Sequence, residues 1–202
     1  MKGLWIDAGN DPHWERLEKH QINRVYFPVS DPIADVQRRL ADARGRGYVV
    51  GLYSAWNWTG YTGSGADYAR ATHERVKLIA PTAKPSDPKI MLDDETHDPD
   101  RIIQMLNEWR RLRPTTDTAW TLESFQGGWF APGLVEALVA RKVRVVPQCY
   151  WGNMVQVCTL TAARDLTKRG VPDSLITPFY DAADLPVGWD GFAFTMGRLP
   201  WP

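Results

Sequence analysis

Along this chain short apolar runs alternate with longer stretches in which apolar residues recur every three or four positions. The runs "GLWIDAG", "RVYFPV", "YVVGLYSA", "KIMLDD", "TAWTLES", "VRVVPQCYW", "SLITPFYDA" and "GFAFTM" read as eight strands, rich in β-branched and aromatic residues. Between them "NDPHWERLEKH", "SDPIADVQRRLADARGRG", "ADYARATHERVKLIA", "DRIIQMLNEWRRLR", "PGLVEALVARK" and "TAARDLTKRG" have helical periodicity. Three starts carry an Asp-Pro pair, Asp11-Pro12, Asp31-Pro32 and Asp98-Pro99, which predicts an N-cap followed by the first helical residue.

Strands joined by helical crossovers imply a parallel sheet. Their count and spacing predict an α/β fold, a compact single-domain (β/α)8 TIM-like barrel over residues 1–202 with short final units. The competing fold is an open doubly wound sheet, but no Gly-rich phosphate loop follows the first strand to give that fold its usual binding site. No linker, low-complexity segment or second domain interrupts the rhythm.

Charge adds an exclusion. Lys plus Arg and Asp plus Glu balance at 24 each, so no net field draws the protein to nucleic acid or to an acidic membrane. No apolar stretch is long enough to insert into a membrane, and the N-terminus has neither an apolar signal core nor a cleavage site. The expectation is synthesis in the cytoplasm without a signal peptide. Cys149 and Cys158 fit no common zinc spacing. Tryptophan is abundant, with 10 in the chain, and its wide apolar face suits a core, an interface or a sugar ring.

In such a barrel the active site lies at the C-terminal strand ends. There the sequence delivers Asp7, then Tyr53, Ser54 and Trp56, then Asp93, Asp94 and Glu95, Glu123, then Gln148, Tyr150 and Trp151, and finally Tyr180 and Asp181. The opposite ends carry Arg24, Lys89, Lys142 and Arg144. Side chains alternate along a strand, so Met91, Asp93 and Glu95 share one face and Leu92 and Asp94 the other. With Leu92 toward the helices, Asp93 and Glu95 face the mouth. Two acids close together repel, one stays protonated, and the pair can act as acid and carboxylate partner. Glu123 is a candidate for the opposing acid of a glycosidase pair. A metal held by Asp93, Glu95 and His97 is disfavoured, because His97 is the sole histidine near the rim. No metal and no cofactor is expected. His13, His20 and His73 fall in predicted helices and read as surface residues.

A small barrel with an acid ending strand one, D-x-E on strand four and Q-x-Y on strand six resembles two groups of glycoside hydrolases. These are the barrel-type muramidases (phage and bacterial lysozymes) and the chitinase-like barrels of family eighteen. The resemblance implies that Asp7 takes the muramidases' strand-one position, that Glu95 is the proton donor, and that Asp93 is its partner. In the chitinase-like pattern, Gln148 and Tyr150 match the strand-six motif, and Tyr150 helps hold an N-acetyl group that Asp93 orients. Two positions depart from these patterns: Met91 stands where the chitinase-like barrels carry an acid, and "GFAFTMG" lacks the muramidases' acid near strand eight.

The expected activity is glycoside hydrolysis of a cell-envelope glycan, peptidoglycan or a related polysaccharide. Glu95, Asp93, Glu123 and Tyr150 would be catalytic, and Asp7, Gln148, Trp56, Trp151, Tyr180 and Asp181 would bind substrate. A signal-less cell-wall enzyme fits a phage product, released at lysis or associated with a virion. The alternatives are a non-catalytic tail or receptor-binding barrel that holds glycan or virion proteins, and a metal-dependent hydrolase.

Overall fold

The computed structural model describes residues 2–6, 8–55, 62–81, 89–93, 98–114, 118–123, 133–149, 164–176, 179–180 and 191–194. The elements run β1 (Lys2–Trp5), α1 (Trp14–Lys19), β2 (Arg24–Pro28), α2 (Ile33–Gly45), β3 (Val49–Ala55), α3 (Gly65–Ile79), β4 (Lys89–Asp93) and α4 (Pro99–Leu112). They continue with β5 (Thr118–Glu123), α5 (Leu134–Ala140), β6 (Arg144–Cys149), a 3-10 turn (Asp173–Leu175), β7 (Phe179–Tyr180) and β8 (Gly191–Phe194). A further helical turn occupies residues 164–168.

The eight strands pair in sequence order, all parallel, and β8 pairs with β1 to close the barrel. Closure needs a stagger, and the register supplies it. From Gly3 one path leads to Arg24 and Val49, the first residues of β2 and β3. The other path leads through Phe192, Phe179 and Gln148 to Glu123, near the far ends of β6 and β5. The strands therefore climb relative to one another around the barrel. The short final units of the sequence reading hold: β7 spans 2 residues and β8 spans 4.

The strands β1 to β4 bury two faces, which is why their sequences are apolar without alternation. Leu4, Ile6, Val25, Phe27, Val50, Leu52, Ile90 and Leu92 join helix residues such as Val36, Leu40, Val76, Ile102 and Leu106 in the layer between sheet and helices. Trp5, Tyr26, Tyr53 and Met91 are also buried, but they alternate with those residues and fill the barrel itself. Gly51 is the small partner that such a filling requires. A β-carbon there would lie 2.2 Å from Cε1 of Tyr26, its register partner.

The helix starts divide. Asp98 caps α4 as the sequence predicts, accepting from the N–H groups of Asp100 and Arg101 at 3.1 and 3.3 Å, with Pro99 opening the helix. Asp11 does not cap α1, which begins at Trp14 with His13 in the cap position. Asp31 does not cap α2 either: Pro32 holds that place, and the Asp31 carboxylate is committed to Arg39 at 2.7 Å. A buried guanidinium outcompetes the helix N–H groups for this acid. His73 is also not a plain surface residue. It sits partly buried on α3, edge-on to Trp109 with ring centroids 6.3 Å apart.

Candidate functional site at the C-terminal ends of the strands

Asp93 is the last residue of β4 and is 1% exposed. It shares a strand face with Met91, whose sulfur accepts the indole N–H of Trp5 at 3.1 Å, while Leu92 between them lies in the layer facing the helices. The alternation inferred from sequence is therefore the one the fold adopts: Asp93 is on the inner face, at the C-terminal end. Beneath it, Trp5 and Tyr53 stack at 4.4 Å with planes 8° apart, and the Tyr53 hydroxyl donates to the carbonyl of Ile6 at 3.0 Å. Trp5, Tyr53 and Met91 thus make an apolar floor whose polar atoms are bonded within it.

Around the rim, Asp93 pairs in register with Ala55 of β3 and Thr121 of β5. Glu123 ends β5 and pairs with Gln148 of β6, so these two candidates occupy neighbouring strand ends two residues beyond the level of Asp93. Tyr180 pairs with Cys149, whereas the partner of Gln148 on β7 is Phe179. Asp7, Trp56, Glu95, Tyr150, Trp151 and Asp181, and with them Asp94 and His97, lie outside the described residues. Ser54 belongs to neither rim nor interior: its hydroxyl is 2.5 Å from that of Tyr68 and 3.2 Å from that of Thr72, buried against α3. Strand alternation could have excluded it, since it adjoins the inward Tyr53.

The loops leaving β3 and β4 are fastened where they enter their helices. Ser64 and Asp67 form a reciprocal capping box at α3, and the Ser64 hydroxyl together with Arg70 holds the Asp67 carboxyl below its usual pKa. Arg101 of α4 donates to the carbonyls of Gly63 at 2.7 Å and Thr62 at 3.2 Å. At Gly65 the two helices approach so closely that a β-carbon would sit 1.9 Å from the Arg101 carbonyl oxygen. The loops leaving β1 and β2 are tied in turn by arginines of α2 and α3. Sequence reasoning missed all of these anchors and the Trp5–Tyr53 floor. Only the floor carried a usable signal, aromatic residues at inward positions of adjacent strands. Among the described residues no three His, Cys, Asp or Glu side chains gather as metal ligands, and no helix is long and apolar enough to cross a membrane.

No protein-family model matches the chain, and no curated protein matches its sequence. Solved structures do match. The catalytic domain of a hyperthermophilic chitinase from Pyrococcus furiosus aligns with a TM-score of 0.63 at 15% identity, over 98% of this chain and 76% of that one. Concanavalin B aligns with a TM-score of 0.60 at 13% identity, over 96% and 91% of the two chains. A D-psicose 3-epimerase from Clostridium cellulolyticum H10, determined with D-tagatose, aligns at 0.52 and 9% identity, over 96% and 83%. At these identities the likeness concerns architecture: over nearly its whole length the chain is similar to chitinase-like (β/α)8 barrels.

Proposed function

We propose that the protein binds a polysaccharide of the cell envelope, peptidoglycan or a related N-acetylated glycan, across the C-terminal face of the barrel, and hydrolyses it by acid–base catalysis. The observation that carries the reading is Asp93: a carboxylate 1% exposed, ending β4 on the inner face above an aromatic floor. It stands at the first position of a D-x-E pair in a fold shared with a chitinase. A buried acid in a partly dry mouth is what glycosidic chemistry uses to set one carboxyl as acid and its neighbour as partner. In this reading Glu95 protonates the leaving oxygen, Asp93 orients the reacting group, and Tyr150 and Gln148 hold the substrate.

Met91 favours a second reading. The position two before Asp93 carries a thioether bonded to Trp5 in place of an acid. A barrel with part of its acid machinery replaced would hold glycan, or a virion partner, without cutting it. The two readings separate on turbidity loss and reducing-sugar release from bacterial cell walls and from chitin. Hydrolysis by the wild type that falls about 10²–10⁴-fold in Glu95→Gln supports the catalytic reading. Glycan binding without hydrolysis in either form supports the binding module.

A further inference from the structure

Asp31 and Arg39 are the most buried ion pair among the described residues, 5% and 3% exposed with 2.7 Å between Asp31 Oδ2 and Arg39 Nη2. Neither is in the barrel or in a helix cap. The same Asp31 oxygen accepts the backbone N–H of Gly9 at 2.9 Å, and Gly9 takes a positive φ of 78°, in the loop between β1 and α1. Arg39 also reaches Asp11 of that loop at 3.5 Å, and Arg38 bonds Asp11 at 2.8 Å. From the other side Arg75 of α3 donates to the carbonyls of Val29 at 2.7 Å and Asp31 at 2.5 Å, fixing the β2–α2 loop. Burying charge is unfavourable unless it is paired and bonded. Here the charges are matched, and what they hold is two loops on the C-terminal face.

We propose that Asp31 is a positioning residue for the glycan site. Through the Gly9 N–H it fixes the turn two residues beyond Asp7, and Arg39, itself seated over the Phe27 ring at 5.9 Å, keeps the Asp31 carboxylate aimed at that turn. This rests on the glycan reading above, because a fixed turn matters to affinity only if the ligand meets the strand-one loop.

The test removes both buried charges together, so that neither is left orphaned. Asp31→Ala with Arg39→Met is compared with Asp31→Asn with Arg39→Met, which restores the acceptor without the charge. The readouts are amide hydrogen exchange at Gly9 and affinity for the N-acetylglucosamine hexasaccharide. With the Ala form folded, Gly9 exchange should rise about tenfold or more while the amides of Leu4 and Val25 stay protected. Affinity should fall about tenfold or more, and the Asn form should recover part of both, short of the wild type because Arg39 no longer aims the acceptor. Unchanged Gly9 exchange would overturn the tie, and a freed Gly9 with unchanged affinity would overturn the positioning role. A wild type that binds no hexasaccharide, cell wall or chitin would defeat the glycan reading instead, with the exchange data still deciding whether Asp31 holds the loop.

Discussion

Gly65 gives the sharpest packing prediction. It opens α3 directly against the first turn of α4, and a β-carbon there would meet the Arg101 carbonyl oxygen at 1.9 Å, its carbonyl carbon at 2.8 Å and the Met105 nitrogen at 2.9 Å. All three are backbone atoms, so no side chain can swing aside. Ordinary contact begins at 3.4 Å, so in Gly65→Ala the start of α4 must retreat by roughly 1.5 Å from a close-packed interface. That movement pulls Arg101 from the Thr62 and Gly63 carbonyls. Overpacking of this kind costs about 1–3 kcal/mol, and the better helix propensity of Ala offsets about 1 kcal/mol at most. With backbone on both sides the upper end applies, a net loss of about 2 kcal/mol, or a fall in melting temperature of roughly 4–8 °C for a domain of this size. Urea and thermal unfolding would measure it. Gly45→Ala, with nothing within 4 Å of the added carbon, is the control and should be neutral or slightly stabilising. A Gly65→Ala protein as stable as the wild type would refute the close approach of α3 and α4.

Three further outcomes are expected. Asp98→Ala removes the acceptor for the N–H groups of Asp100 and Arg101 and should lower stability by about 1 kcal/mol in urea unfolding; no loss would mean that the cap is idle. Glu108, bonded by Arg111 and by Arg70, has its pKa drawn from 4.5 down to about 2. Its contribution is therefore complete above the ordinary carboxylate range and disappears as pH falls toward 2. Glu108→Gln should flatten the acid limb of the stability curve, and an unaltered limb would count against the Arg70–Glu108–Arg111 network. His73 also has a lowered pKa, for a different reason: burial, with Arg113 nearby, brings it down from 6.5. The native state thus resists the proton that the unfolded chain accepts, so stability should decline as pH drops below about 6.5. That decline should shrink in His73→Gln, and an identical pH profile would contradict the burial.

Much of this fold is legible in the sequence because its signals are local. Strands buried on both faces announce themselves as continuous apolar runs, and the period of Ile102, Met105, Leu106 and Trp109 sets the buried face of α4. The inward direction of Asp93 is readable too, since parity along β4 is fixed once Leu92 faces the helices. Long-range competition is what stays hidden. Asp11, Asp31 and Asp98 begin with the same Asp-Pro text, yet only Asp98 caps. What separates Asp31 is Arg39, which burial on α2 delivers to it, and no spacing rule announces that pairing. The same holds for Gly65, whose need to be glycine arises from a helix that starts 34 positions later at Pro99. Met91 carries a double meaning: by pattern it is a departure from an acid motif, and in the fold it is the acceptor that finishes the Trp5–Tyr53 floor.

The most direct measurement is hydrogen–deuterium exchange of the wild-type protein with and without the N-acetylglucosamine hexasaccharide. Binding across the C-terminal face should slow exchange in peptides covering the ends of β4, β5 and β6, around Asp93, Glu123 and Gln148, and leave the opposite face of the barrel, residues 20–23, 45–48 and 140–143, unchanged. Protection confined to the opposite end of the barrel, or none with hexasaccharide, cell-wall fragments or chitin, would contradict the proposed glycan site.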